Sequence, residues 1–190
     1  MPTANIAVVI LAAGASSRFG SPKQLLPYNG KPLVRHIAEI VLHSKARSAS
    51  IVLGAEQANI QAALAGLSLS LVTNSDWREG IGSSVRAGIA SLPETVDAAI
   101  FVLCDQPLVT SDLIDAIIDS HATTGKPIVA TEYSRTRGVP ALFARKLFSE
   151  LLLLRGDRGA KSVIAHHANE VASIPFPGGS VDIDTPEDLS

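Results

Sequence analysis

The sequence predicts an α/β fold, a mainly parallel β-sheet with helices on both faces. Two observations carry that prediction. Short β-branched apolar runs recur at 6–11, 50–53, 69–73, 98–103, 128–131 and 171–175. Between them lie segments whose apolar residues return every three or four positions, the spacing of an amphipathic helix. Strands apolar at nearly every position, alternating with helices, belong to a sheet buried on both sides.

The first run, Ile6–Leu11, reads as a strand. The small residues Ala13, Gly14 and Ala15 after it superficially resemble a signal-peptide cleavage site. No Lys or Arg precedes the run, however, and its apolar core is at the short limit for a secretory leader. The next segment, 33–44, carries Leu33, Val34, Ile37, Ile40 and Val41 on one face after Pro32, a good first-turn residue. Thr110, Ser111 and Asp112 can cap a helix over 113–121, lined by Leu113, Ile114, Ile117 and Ile118. Segments 142–154 and 158–167 read as two further helices broken at Gly156, with the Leu151–Leu154 run in the core. The stretch 175–180 is the most loop-like, and no repeat or linker divides the chain. Residues 1–190 are therefore expected to form one domain.

Composition narrows the function. The 190 residues hold 16 basic and 18 acidic side chains, a formal charge of −2, so no cationic groove for nucleic acid or anionic membrane is expected. No run reaches the ~20 apolar residues of a membrane span. The one cysteine, Cys104, excludes an internal disulfide and a multi-cysteine metal site, and a reducing cytoplasm is the expected location.

In open α/β sheets ligands bind beyond the carboxyl ends of the strands. The chemistry-bearing residues follow strands here. After the first comes Leu11-Ala12-Ala13-Gly14, then Arg18 and Lys23. Side chains without bulk let a phosphate reach backbone N–H groups, and a forked guanidinium with a mobile ammonium suits its oxygens. A plain βα turn with exposed cations is the alternative. The spacing fits neither a Walker A loop nor a Gly-x-Gly-x-x-Gly dinucleotide fingerprint.

The run 98–103 leads directly into Asp105, a carboxylate at a strand end suited to Mg2+, unless it merely caps a helix or pairs with a cation. The tail holds Asp182 and Asp184, which fall on the same side of an extended segment. Asp184 also fits the cap of a short helix. The segment from Asn74 to Gly88 offers Gly82, Ser83 and Ser84, where a flat base can lie against the backbone, and Ser83 is a candidate N-cap. Trp77 reads equally as core or rim. His166 and His167 are adjacent, so on one helix they diverge by about 100° rather than converge on a metal. His36, His43 and His121 have no partner at a ligand spacing, and Cys104 reads as a small buried residue beneath Asp105.

The wording Leu-Ala-Ala-Gly-x-Ser-x-Arg-Phe-Gly-x-x-Lys-Gln-Leu-Leu-Pro resembles the signature loop of nucleotidyltransferases, closest to the molybdenum cofactor cytidylyltransferase group. Cys-Asp-Gln-Pro-Leu-Val, Asp-Ile-Asp-Thr-Pro-Glu-Asp-Leu and the Gly82–Ser84 segment resemble the metal, closing and base-recognition motifs of the same group. The resemblance implies a Rossmann-like three-layer fold. It implies that Leu11, Ala12, Ala13, Gly14, Arg18 and Lys23 wrap the triphosphate of CTP, and that Asp105 and Asp184, with Asp182 as the rival, hold Mg2+. It places Gly82, Ser83 and Ser84 against the base. Gly138 and Pro140, with Gly156, Asp157 and Gly159, fall on the side of a molybdopterin-type phosphate acceptor; the Gly-Asp piece otherwise reads as an ordinary turn. Arg18, Lys23 and Asp105 are the implied catalytic residues, and a client molybdoenzyme or its chaperone the implied macromolecular partner. Leu-Ala-Ala-Gly, rather than the Leu-Ala-Gly-Gly of guanylyl relatives, favours CTP. A guanylyl or sugar- or alditol-phosphate transferase, or a non-catalytic nucleotide binder on the same scaffold, are the alternatives.

Overall fold

The computed structural model describes residues 4–15 and 22–181. Expectations for Arg18, Asp182 and Asp184 lie outside the described residues.

In chain order the strands are β1 (Ile6–Leu11), β2 (Pro27–Tyr28), β3 (Lys31–Pro32), β4 (Ser48–Leu53), β5 (Ser70–Thr73), β6 (Ala98–Leu103), β7 (Ile128–Tyr133), β8 (Thr136–Ala144) and β9 (Val171–Pro175). The helices are α1 (Leu33–Leu42), α2 (Gln57–Ala63), α3 (Ile81–Ala90), α4 (Ser111–Thr124), α5 (Phe148–Leu151) and α6 (Ala160–His166). Seven strands form one sheet in the order β5-β4-β1-β6-β8-β7-β9, and β2 and β3 pair separately. All neighbours in the large sheet are parallel except β8, which runs antiparallel to both β6 and β7. This is the mainly parallel, helix-covered sheet that the sequence predicts.

Two apolar layers flank the sheet, as the side-chain alternation of a strand requires. Val8 and Ile10 of β1 face Val34 and Ile37 of α1, Ile60 of α2, and Ile114 and Ile117 of α4. Val9 and Leu11 face Val85 and Ile89 of α3, Phe148 and Leu151 of α5, and Val163 and Ile164 of α6. Every residue of β1 is buried, which is why its sequence shows no polar alternation. Thr110 caps α4 as expected, its hydroxyl accepting from the Leu113 N–H at 3.1 Å.

The expected helix over 142–154 is corrected. Its first part is the end of β8, a 3-10 turn follows over Arg145–Leu147, and α-helix spans only Phe148–Leu151. Ala141, Leu142 and Phe143 are buried on both faces, and a short continuous apolar run does not distinguish strand from helix. Pro140 is tolerated in this inner strand because a register shift falls beside it. Ala130 pairs with Ala141 but Thr131 pairs with Gly138, leaving Val139 and Pro140 as extra residues of a bulge. Helix α2, which has one buried residue, Ile60, carries too weak an apolar stripe to be read from sequence.

The strand order fixes where a site can form. From β1 the chain steps outward through β4 to β5, then returns through α3 to β6 on the other side of β1. The loops that leave β1 and β6 therefore part in opposite directions, which opens a crevice at their carboxyl ends. Leu11 and Leu103, the last residues of these strands, are register partners.

Candidate active site at the β1–β6 crevice

A cavity of about 660 Å3 occupies this crevice. One wall is the loop after β1, Leu11 to Ala15, with Lys23 and Gln24. The floor is Leu103, Cys104 and Asp105, and the far wall is Trp77, Arg78, Gly80, Ile81 and Ser84, with Asp157 at the edge. Its size suits a nucleotide.

The two carboxyl-end loops meet directly. Lys23 Nζ lies 2.6 Å from Asp105 Oδ2, both side chains about one-fifth exposed. The other oxygen of Asp105, Oδ1, is buried and has no hydrogen-bond partner among the described residues. An ionised carboxylate oxygen shielded from water and left unpaired is costly unless something cationic completes it. Carboxylate oxygens are also the ligand type that Mg2+ takes. The residues present therefore fit a divalent cation at Asp105. Beneath it, burial first and the Asp105 charge second push the Cys104 thiol well above its ordinary range, so Cys104 is a neutral, packed residue.

Gln24 shapes the opposite wall. Its side chain is buried, and Nε2 donates to the carbonyls of Ala12 at 3.2 Å and Gly14 at 2.6 Å. Those carbonyls are thereby turned toward Gln24. The backbone of Ala12 also donates to Val52 at 3.0 Å, so both sides of the loop's start are fixed.

On the far wall, the expected N-cap is corrected. Helix α3 begins after Gly80, with φ 114°, and Ser83 already lies in its first turn. The Ser83 hydroxyl donates to the Gly80 carbonyl at 2.8 Å. Asn74 Nδ2 donates to Ser83 at 2.9 Å and Ser84 at 3.1 Å, burying all three side chains. Ser84 lines the cavity, while Gly82 and Ser83 lie behind it. Gly82 is instead where α3 meets the segment between α5 and α6. Its N–H donates to the Gly156 carbonyl at 3.0 Å, and a Cβ there would come within 3.0–3.1 Å of three backbone atoms of residues 155–158.

Glu79 reinforces the junction. Its carboxylate pairs with Arg86 at 2.5 Å, and the Gly156 N–H approaches it at 3.4 Å. The Arg86 hydrogen bond, against a smaller opposing effect of burial, holds Glu79 below the usual carboxylate range. Asp157 is thus carried to the cavity edge, while Gly156 and Gly159 shape the loop behind it. Gly138 and Pro140 lie in β8 outside the cavity lining; Gly138 packs against Tyr133. Gln106 links that strand to the floor through a 3.3 Å hydrogen bond to the Val139 carbonyl.

Sequence reasoning missed Gln24, Arg78 and the placement of Trp77. Trp77 forms part of the far wall, with the Arg78 guanidinium 4.3 Å above its ring. Gly54 at the end of β4 is what admits Trp77, since a Cβ there would lie 2.6 Å from the Trp77 Cβ. No helix among the described residues is long and apolar enough to cross a membrane.

Residues 8–171 match the model of the MobA-like NTP transferase domain. Nicotine blue oxidoreductase of Paenarthrobacter nicotinovorans is 41% identical over 117 residues, 60% of this chain and 55% of that protein. The bifunctional protein GlmU of Agrobacterium fabrum is 30% identical over 158 residues, 80% of this chain and 34% of its own length. The chain thus spans about half the length of the first of these relatives and about a third of the second. Rv0371c of Mycobacterium tuberculosis H37Rv superposes with a TM-score of 0.85 at 28% identity, covering 98% of this chain and 96% of that one. Its complex with manganese gives a TM-score of 0.82.

Proposed function

The chain belongs to the MobA-like NTP transferase domain family, and on that premise we propose that it transfers CMP from CTP to a molybdopterin-type phosphate acceptor with release of pyrophosphate. The observation that carries this reading is the meeting of Lys23 and Asp105 at the β1–β6 crevice, with Asp105 Oδ1 left for a cation.

In the proposed reaction an oxygen of the acceptor phosphate attacks the α-phosphorus of the nucleotide. A new P–O bond forms as the bond to the β-phosphate oxygen breaks, and pyrophosphate departs with that electron pair. A phosphate monoester has a second pKa near ~6, so the acceptor is already an anionic nucleophile at neutral pH and no general base is required. The protein's work is alignment and charge neutralisation. Lys23 and Arg18 hold the triphosphate, and the loop pinned by Gln24 sets its path. Ser84, Ile81 and Trp77 enclose the base and sugar, and Asp157 faces the acceptor. Asp105 would hold Mg2+, with Asp184 or Asp182 as the second carboxylate. When bound, the cation neutralises charge on the phosphate oxygens. The whole chain is proposed to work as one domain in the cytoplasm, serving a molybdoenzyme or its chaperone.

The testing experiment is pyrophosphate release from CTP, GTP, ATP and UTP, each with a molybdopterin-type, a sugar-phosphate and an alditol-phosphate acceptor. Release from CTP with the pterin acceptor alone supports the proposal. Release from another pair would reassign the substrates within the same chemistry.

A second reading rests on the 41% identity to a protein named as an oxidoreductase. A reduced dinucleotide also carries a pyrophosphate and a nucleoside, which the same cavity can accept. Oxidation of a reduced nicotinamide dinucleotide by an added quinone-type dye, with no pyrophosphate released, would establish it in place of the transferase.

A further inference from the structure

We infer that Glu150, His166 and His167 form a binding site for a divalent transition-metal ion, separate from the nucleotide cavity. One ligand atom from each of the three lies within 4.8 Å of the other two. Neighbouring residues on a continuous helix point about 100° apart, which argues against adjacent histidines sharing an ion. Here the helix stops between them. Helix α6 ends at His166, and His167 follows it with φ −100° and ψ 32°. The rings consequently lie side by side in an edge-on arrangement, their centroids 5.0 Å apart and their planes at 75°. Glu150 reaches them from α5, its Oε2 lying 2.6 Å from His167 Nε2.

A second observation concerns the other nitrogen of His167. Nδ1 lies 3.2 Å from Glu170 Oε1, and Glu170 is held in turn by Lys146 at 3.0 Å. A metal-ligating histidine characteristically gives its other ring N–H to a carboxylate, which fixes its tautomer and orientation. With Nδ1 donating to Glu170, Nε2 is directed at the space shared with Glu150 and His166. Glu150 Oε2 and His167 Nε2 are now in contact at 2.6 Å, and an ion seated between them would replace that contact with two coordinate bonds.

The donor set selects the ion. Two imidazoles and one carboxylate suit Zn2+, Co2+ or Ni2+, whereas Mg2+ and Ca2+ take oxygen ligands. Three protein ligands leave a coordination position for water.

Placement suggests what the ion does. Glu150 sits on α5 and the histidines close α6, and the segment between these helices brings Gly156 to Gly82 and Asp157 to the cavity edge. A metal bridging Glu150 and the two histidines ties α5 to the far end of α6, and so joins the two helices that flank that segment.

The test uses the full chain, stripped with a chelator and titrated calorimetrically with Zn2+ in excess Mg2+, alongside the visible spectrum of added Co2+. One Zn2+ per chain is expected, with a Co2+ spectrum of low coordination number. His166 is exposed, so His166→Ala should keep the wild-type circular dichroism and thermal midpoint of the metal-free protein while weakening Zn2+ at least tenfold. Glu170→Gln should weaken it roughly 10–100-fold, the usual effect of removing a carboxylate behind a ligating histidine. Asp105→Asn should bind Zn2+ like the wild type. The inference is overturned by absent stoichiometric binding in Mg2+, by unchanged affinity in His166→Ala, or by loss of the Zn2+ site in Asp105→Asn.

Discussion

Lys23 Nζ and Asp105 Oδ2, 82 residues apart in the chain, lie 2.6 Å apart across the crevice between β1 and β6. A partly exposed ion pair of this kind contributes roughly 0–1 kcal/mol to stability. Its value in the proposed reaction is placement, since one group would face the incoming triphosphate and the other a cation. Asp105→Asn keeps the shape and removes the charge. Its kcat/KM for the nucleotide should fall about ten- to a hundredfold, corresponding to the roughly 1.5–3 kcal/mol of a charge-assisted contact. Its melting temperature should move by no more than about 2–4 °C, the shift that 1 kcal/mol produces in a chain of this size. Pyrophosphate release across a Mg2+ titration, paired with a thermal melt, measures both. Wild-type turnover at every Mg2+ concentration would remove Asp105 from the mechanism.

Lys23→Ala tests the other half of the pair. It should lose nucleotide affinity by a similar factor, and so should Arg18→Ala if both cations hold phosphate. Lys23→Arg retains the charge but exchanges a compact ammonium for a planar fork, so it should recover only part of the activity. Normal kinetics with a large fall in melting temperature would make Lys23 a structural cation.

Gln24→Leu should be worse than its conservative volume suggests. The substitution strands the carbonyls of Ala12 and Gly14, which the Gln24 amide now satisfies. The Ala12 carbonyl is buried, and an unpaired buried acceptor costs roughly 1–3 kcal/mol, whereas the part-buried Gly14 carbonyl can turn to water. Because those carbonyls belong to the stretch from Leu11 to Ala15 that lines the cavity, KM for the nucleotide should rise along with the loss of stability. Denaturant melts and nucleotide titrations check the two effects separately; a stability loss at unchanged KM would confine Gln24 to packing.

Gly80 and Gly82 separate backbone conformation from space. Gly80 has φ 114°, and a Cβ there would lie 2.6 Å from Asp157 Oδ1 and the Gly156 backbone. Gly80→Ala should therefore cost at least the roughly 1–3 kcal/mol of a strained residue and displace Asp157. Gly82→Ala faces contacts of 3.0–3.1 Å in ordinary helical backbone, so its destabilisation should be smaller. Both should raise the acceptor KM more than the nucleotide KM. Equal stability for the two variants in denaturant melts would contradict the strain argument.

The sequence was most legible where chemistry abuts a strand end. The run into Asp105 and the one into Leu11-Ala12-Ala13-Gly14 placed both sides of the cavity, because a parallel sheet forces such residues to one edge. The Thr110 cap was local and equally readable. Strand β8 was not, because Ala141, Leu142 and Phe143 are buried on both faces and so show no alternation. Gln24 and Trp77 were missed for a different reason: their partners, Gly14 and Gly54, are set by tertiary approach rather than periodicity. The pairing of His166 with His167 turned on where α6 ends, and boundaries are the least readable property of a helix.

Cys104 offers a reporter of the cavity floor. Its side chain is 4% exposed, and burial, ahead of the Asp105 charge, pushes the thiol upward and keeps it protonated. The thiolate is the reactive species, so native protein should resist a disulfide reagent at mildly alkaline pH, while protein in denaturant should react at once. Any slow native reaction then measures opening of the floor between β6 and the Asp105 turn. On the proposed function, a nucleotide with Mg2+ should slow it further, because a ligand held at Asp105 would stabilise the arrangement in which the floor is packed. Asp105→Asn should leave the protection largely intact, because removing a neighbouring charge does not expose the sulfur. Rapid modification of the native wild type would show that the floor is open to solvent, and Asp105 Oδ1 could not then be the shielded, unpaired oxygen on which the proposed cation site depends.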